Sequence, residues 1–145
     1  MATHRKSSIM ILACMATAAI AGFAPPVLAE DQAWTCSYQA AAGLKWNGTR
    51  WTSASFTAGK PFELIVRDAT LTPDTAAMPL SSNPRFVQCP AQKTALLSCF
   101  DPSGGWLVFD PKTGRGGVSK LYTAIKAPPN EGSTLSVAPF ACTAK

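Results

Sequence analysis

Short apolar runs separated by turn-forming residues extend from about residue 35 to the end of the chain. Residues 62–67 alternate in character, as a strand partly covered on both faces does. Segments 35–38, 86–89, 96–100 and 106–109 also have strand composition, and 134–137 with 140–142 form a predicted closing strand. Residues 68–84 contain three prolines and little periodicity, so the sequence predicts a long irregular connection there.

The dipeptide Asn47-Gly48, between two apolar-rich tripeptides, is a strong β-hairpin signal. A two-residue turn at this dipeptide pairs Trp46 with Thr49 and Leu44 with Trp51. It also places Lys45 opposite Arg50, which is a mildly unfavourable pair of like charges.

An internal repeat predicts a β-meander. Residues 100–104 (Phe-Asp-Pro-Ser-Gly) recur as residues 109–114 (Phe-Asp-Pro-Lys-Thr-Gly). Proline presets φ for a type I turn, and the glycine that follows takes the positive-φ position. Two reverse turns therefore bracket the strand at 106–109.

One segment has a helical period instead. Val118, Leu121, Tyr122 and Ile125 fall at i, i+3, i+4 and i+7, which predicts a short helix near 118–126. Turn signals recur about every 8–12 residues elsewhere. We therefore expect a mainly β fold, a single small antiparallel β-barrel or sandwich of about six to eight short strands, with one helix and two disulfides.

Residues 1–29 are typical of a secretory signal peptide cleaved before Glu30, with Arg5 and Lys6 ahead of an apolar stretch. The alternatives are a transmembrane helix, which needs about 18 apolar residues, and a lipoprotein signal around Cys14. Prolines interrupt the apolar stretch after 16 residues, and apolar sequence continues past Cys14. We expect 30–145 to be one exported β-rich domain, periplasmic or secreted by a bacterium, without a transmembrane segment after cleavage.

Loss of this leader changes the charge and the chemistry. The whole chain has a net charge of +5, and the mature part keeps 11 basic and 8 acidic residues, for a net charge of +3. His4 is the one histidine, so the mature chain has none for a Ser-His-Asp site or a metal site. A charge of +3 is too small to indicate nucleic-acid binding. No cofactor, metal or nucleic-acid partner is expected.

Four cysteines remain in an oxidising compartment, which favours two disulfides in one of three connectivities. We predict Cys89–Cys99, which flank a short segment, and Cys36–Cys142, which would tie the first strand to the last. The chain has no Cys-x-x-Cys and no zinc-module spacing, so a redox or metal role is not indicated.

The candidate catalytic groups have simpler explanations. No serine begins a Ser-x-x-Lys motif. Asp101 and Asp110 each precede a proline in a predicted turn, where aspartate is common because it bonds locally. Segment 113–117 is glycine-rich but lacks the ending of a phosphate-binding loop. No catalytic residue is predicted.

The remaining features concern binding. The domain has four tryptophans (Trp34, Trp46, Trp51 and Trp106), and basic residues lie in or next to the predicted hairpin loops. Aromatic faces beside cationic loop tips suit a glycan, an acidic protein cleft or a membrane surface. The alternative is that the tryptophans fill the core and the cations are solvated. The candidate partner-binding residues, in loops 45–51 and 101–117, are Lys45, Arg50, Trp51, Ser103, Trp106, Lys112 and Arg115.

In general plan, the pair Cys36 with Cys142 and the turn Ser103-Gly104-Gly105 resemble the small periplasmic inhibitors of C-type lysozyme. The resemblance implies a compact antiparallel barrel with a disulfide linking its ends and a Ser-Gly loop that enters the enzyme's cleft. The chain departs from that plan in its second cysteine pair, its proline-rich connection and its basic loops.

Three functions are therefore considered. The first is a non-enzymatic, monomeric binding module for an envelope protein or glycan, such as an inhibitor of an envelope-degrading enzyme. The second is a carboxylate-dependent hydrolase of envelope glycans that uses Asp101 or Asp110. The third is a structural component of the envelope.

Overall fold

The computed structural model describes residues 31–80, 82–121 and 132–145, so the predicted signal peptide lies outside the described residues. The described chain is mainly β, as the sequence predicts. Its elements, in chain order, are β1 (Gln32–Tyr38), β2 (Ala42–Trp46), β3 (Trp51–Ser55), β4 (Phe62–Arg67), β5 (Thr70–Leu71), α1 (Pro73–Leu80), a 3-10 turn (Pro84–Phe86), β6 (Leu97–Phe100), β7 (Gly105–Asp110), β8 (Arg115–Lys120) and β9 (Thr134–Ala144).

Seven strands in the order β5-β4-β1-β9-β8-β7-β6 form an antiparallel sheet that curls into a nearly closed barrel. Helix α1 packs against β4 and against β6, β7 and β8, whereas the edge strands β5 and β6 contact each other directly. Ala76, Ala77 and Leu80 of α1 are buried. The hairpin β2–β3 lies outside this closed path and joins through the pairing of β2 with β9.

Strand β9 is the longest strand, and it pairs with both β1 and β2 along one edge. Tyr38 is opposite Phe140 and Ala42 is opposite Val137. The three residues between β1 and β2 (39–41) therefore face only two residues of β9 (138–139). This is a β-bulge, which bends the sheet. Pro139 lies at the bulge, where its carbonyl accepts from Gln39 N–H (3.0 Å). Because N–H and C=O of a strand residue point to the same side, the missing N–H of Pro139 interrupts pairing only at the bulge.

Both predicted disulfides are confirmed, Cys36–Cys142 and Cys89–Cys99. Cys36 and Cys142 are direct register partners on β1 and β9, with Cα atoms 4.0 Å apart. The N–H of Cys142 bonds to Gly114 on the other side of β9 (2.6 Å), so this is a non-hydrogen-bonded pair, in which side chains come closest. In the chain-entropy model a loop of about 100 residues stabilises by roughly 4.7 kcal/mol.

The hairpin at Asn47-Gly48 forms, but its predicted register is wrong. Trp46 is opposite Trp51, and Lys45 is opposite Thr52 rather than Arg50. The Asn47 side chain explains the difference, because its Oδ1 accepts from the backbone N–H groups of Thr49 (3.1 Å) and Arg50 (2.9 Å). The turn is thereby centred one residue further along, on Gly48-Thr49.

Three other predictions need correction. Residues 68–84 are not irregular, because they contain β5, α1 and the start of the 3-10 turn. The predicted strand 86–89 is reduced to one bridge, between Gln88 and Phe100. The helix near 118–126 is wrong for residues 118–120, which belong to β8, whereas its residues 122–126 lie outside the described part of the chain.

The predicted meander is confirmed as β6-β7-β8. Gly104 and Gly114 take the positive φ values of 92° and 65° that its two turns require. Inside the barrel, side chains from all the main strands meet in one core. Its fully buried large members are Phe109, Phe140, Leu64, Leu107, Cys36 and Cys99.

Candidate binding face

The turn aspartates have structural roles. Asp101 is 4% exposed, and its Oδ1 accepts from the N–H groups of Ser103 (2.7 Å) and Gly105 (3.2 Å), while Oδ2 accepts from the Ser82 hydroxyl (2.7 Å). Burial raises the pKa of the Asp101 carboxyl, but the hydrogen bonds from Ser103, Ser82 and Gly105 outweigh burial and lower it below its usual value. The carboxylate therefore holds the β6–β7 turn together.

Asp110 makes the equivalent contacts in the β7–β8 turn, accepting from the Lys112 N–H and the Thr113 hydroxyl, both at 2.9 Å. Asp101 precedes β7 and Asp110 ends it, and a six-residue strand is about 17 Å long. Two carboxylates of a glycosidase lie about 5–9.5 Å apart. These two aspartates therefore do not form the pair on which the hydrolase hypothesis depends.

The predicted binding residues are divided between the two ends of the barrel. We call the end at which β9 begins the upper end and the end at which it terminates the lower end. Lys45 is opposite Thr134 at the upper end, whereas Arg115 is opposite Ala141. Thr134 and Ala141 are seven positions apart on β9, a distance of about 24 Å. Lys45, Arg50, Trp51, Ser103 and Trp106 thus belong to the upper half, and Lys112 and Arg115 to the lower end.

A different set of residues converges on the outside of the sheet. On β7, Leu107 and Phe109 are fully buried, whereas Trp106 points outward and is 55% exposed. Following the register from β3 across to β6 gives one continuous surface, which we call the outer face. Its outward positions are Trp51, Ser53, Ser55, Ala42, Leu44, Trp46, Leu135, Val137, Pro139, Gly117, Ser119, Leu121, Trp106, Val108, Ser98 and Phe100.

The outer face has no charged residue and is rich in aromatic rings. Trp46 and Trp51 pack edge to face on its β2–β3 side, with ring centroids 5.5 Å apart. On the other side, Trp106, Val137 and Phe100 are 55%, 53% and 37% exposed. Soluble proteins rarely expose a large contiguous apolar surface, and such a surface commonly marks an interaction site. Lys45 projects to the opposite side of the sheet from Leu44 and Trp46, so it borders the outer face without belonging to it.

A groove crosses the outer face along β8. Gly117 and Ser119 form its floor, Trp106 and Val108 one wall, and Val137 with Pro139 the other. The groove has a volume of about 410 Å³. Since neighbouring outward side chains on β7 and β9 are two strand spacings apart, about 9.6 Å, the groove is wide enough for a ring-sized group.

Gly117 keeps this groove open although packing does not require a glycine there. A Cβ on Gly117 would meet only the Ala138 carbonyl oxygen, at 3.9 Å. The adjacent Gly116 is different, because its Cβ would collide with the Phe140 ring and the Val108 carbonyl oxygen inside the barrel. Glycine within a strand lowers stability and often marks close approach by a ligand or another backbone.

Trp106 also borders a second depression, at the upper end. Phe100, Leu121, Gly104 and Gly105 line it, and its volume is about 360 Å³. The exposed indole therefore stands between two concave areas.

Two further cavities lie at the ends of the barrel. Lys112 lines one at the lower end, of about 430 Å³, together with Asp68 and Gln92. Lys120 and Tyr38 line a smaller one at the upper mouth, of about 220 Å³. Burial lowers the pKa of Lys120 and raises that of Tyr38.

The sequence identified Trp51 and Trp106 but missed most of the outer face. Phe100, Val108, Val137 and Leu121 are apolar residues in strands or at strand ends, and nothing local shows which side of the sheet they occupy. The one available signal was Gly117 in the interior of a strand. Because Gly117 belongs to the glycine-rich segment 113–117, the sequence does not show that it lies inside a strand.

No family model matches the chain, and no curated protein or solved structure is significantly similar to it. None of the helices in the described residues has the length and apolar character needed to span a bilayer.

Proposed function

We propose that this protein is an exported, non-enzymatic binding module of the cell envelope, and that it recognises a protein partner through the outer face. The observation that carries the proposal is the open groove over Gly117 beside the exposed Trp106. An inhibitor of an envelope-degrading enzyme would be one such module. The signal peptide predicted at residues 1–29 is the reason for proposing export, and the two disulfides support it.

The chemistry of the groove favours apolar side chains of a protein over a glycan. A sugar presents many hydroxyl groups, and each one that loses water needs a hydrogen-bond partner. Ser119 supplies the one side-chain hydroxyl in the groove, and the backbone groups of β8 are engaged in pairing with β7 and β9. An aromatic or aliphatic side chain needs no such partners, and it would gain from contact with Trp106 and Val137.

Site-specific photo-crosslinking tests the proposal. A photoreactive amino acid replaces Ser119 on the groove floor in the full chain, which is expressed in its native cell. The matched control carries it at Thr143, an exposed outward position near the lower end of β9. We expect a discrete crosslinked protein from position 119 that is lost when Gly117→Val fills the groove. Equal labelling from both positions, or labelling that Gly117→Val leaves unchanged, would overturn the proposal.

A further inference from the structure

Strand β3 has an unpaired edge. It pairs with β2 and, among the described residues, with no other strand. The hydrogen bond from Asn47 N–H to the Arg50 carbonyl (3.1 Å) fixes the alternation along the hairpin, because antiparallel pairs are bonded at every second position. The backbone N–H and C=O groups that point away from β2 are therefore those of Trp51, Ser53 and Ser55.

These outward groups have no partner in the described part of the chain. The backbone hydrogen bonds outside regular pairing do not include the N–H or C=O group of Trp51, Ser53 or Ser55, and the contact of Trp51 with Trp46 is made by its ring alone. The other two edges of the sheet, on β5 and β6, contact each other, and α1 packs against β6 and against β4 next to β5. Within residues 31–80, 82–121 and 132–145, the edge of β3 thus differs from them in lacking a cover.

Natural proteins protect an edge of this kind with charges, proline, bulges or a covering element. Strand β3 reads Trp-Thr-Ser-Ala-Ser and contains neither a charge nor a proline, and its pairing with β2 is continuous without a bulge. An edge without any of these devices is a template for another strand.

We infer that β3 of a second copy of this chain adds to this edge, in antiparallel orientation and centred on Ser53. In that register, Ser53 faces Ser53 and Trp51 faces Ser55 of the second copy. Each of the three outward residues on each copy then both donates and accepts one hydrogen bond, so every exposed backbone group of the edge is satisfied.

The side chains are compatible with this register. Thr52 faces Ala54 of the second copy, and continuing by one residue brings Arg50 opposite Phe56 rather than opposite another cation. No two like charges meet, although the mature chain is positive overall. The outer faces of the two copies become parts of one continuous sheet, so the dimer offers two Gly117 grooves to a partner. The monomer predicted from the sequence would then be the dissociated form.

Sedimentation of the exported, oxidised protein, combined with residue-resolved amide hydrogen exchange, tests the inference. We expect a concentration-dependent dimer in which the amides of Trp51, Ser53 and Ser55 become protected. Ser53→Lys places two lysines face to face and should weaken dimerisation by at least about tenfold. Ser37→Lys is the matched control, because Ser37 is also an exposed strand serine but is paired with Ala141 inside the sheet.

Three results would overturn the inference. The first is a protein that stays monomeric at every concentration. The second is a dimer in which the three amides exchange as freely as in the monomer, since another surface would then mediate association. The third is equal weakening by Ser53→Lys and Ser37→Lys, because position on the β3 edge would then be irrelevant.

Discussion

The turn between β4 and β5 is strained in a way that one substitution should relieve. Asp68 and Ala69 both have positive φ, 49° and 57°, the conformation of a type I′ hairpin turn. Asparagine followed by glycine is the preferred pair there, and alanine is disfavoured because its Cβ crowds the backbone. We predict that Ala69→Gly stabilises the protein.

The magnitude follows from two opposing terms. The left-handed conformation costs an L-residue about 1–2 kcal/mol, which glycine removes. Glycine also makes the unfolded chain more flexible, which costs about 0.4–1 kcal/mol. Ala69 is exposed, so loss of its methyl group removes no buried contact. The net gain is about 0.5–1 kcal/mol.

Urea unfolding of the oxidised protein measures this change. With a slope of about 2 kcal/mol per molar, the midpoint should rise by about 0.3–0.5 M. Ala91→Gly is the control, because Ala91 is exposed and does not have positive φ, so the same substitution should lower the midpoint there. If Ala69→Gly lowers the midpoint as much as Ala91→Gly does, strain in this turn is not the explanation.

Two further predictions concern the barrel interior and the β6–β7 turn. Gly116→Ala should destabilise the protein by about 1–3 kcal/mol in urea unfolding because its Cβ collides with Phe140, and unchanged stability would contradict that packing. Asp101 has a folded-state pKa below the unfolded value of 3.8, so its stabilising effect is complete above that value and is lost as pH falls through the folded pKa. Asp101→Asn should be less stable than the wild type at pH 7 and should lose less stability between about pH 5 and pH 2. Parallel pH profiles would contradict a stabilising carboxylate.

Strong local signals predicted the frame of the fold. The Asp-Pro turns specified the meander because proline and glycine each favour one backbone conformation at their position. Cysteine spacing and an even count gave both disulfides. The register of the β2–β3 hairpin was harder to predict from the sequence. Asn47 can serve either as a turn residue or as a hydrogen-bond acceptor ahead of the turn. Its hydrogen bonds to Thr49 and Arg50 select the second arrangement.

The remaining errors arise where long-range pairing decides the local structure. Residues 118–120 fit a helical period, but Val118 is opposite Leu107 on one side and Ala138 on the other, and this pairing keeps them in a strand. Pro73, one of the three prolines behind the predicted irregular connection, occupies the first position of α1, where a missing N–H has no consequence. The outer face could not be predicted, because β7 is apolar on both sides and only closure of the barrel shows which side is exposed.

The central claim is that the groove over Gly117 is the recognition site. Its most direct test uses the partner that crosslinking identifies, purified separately and not crosslinked. Calorimetry measures the affinity of this partner for the wild type, Gly117→Val and Thr143→Val, and the stability of each variant is measured in parallel. Gly117→Val should bind at least about tenfold more weakly while being at least as stable as the wild type, and Thr143→Val should bind normally. Undiminished binding by a folded Gly117→Val would contradict the claim.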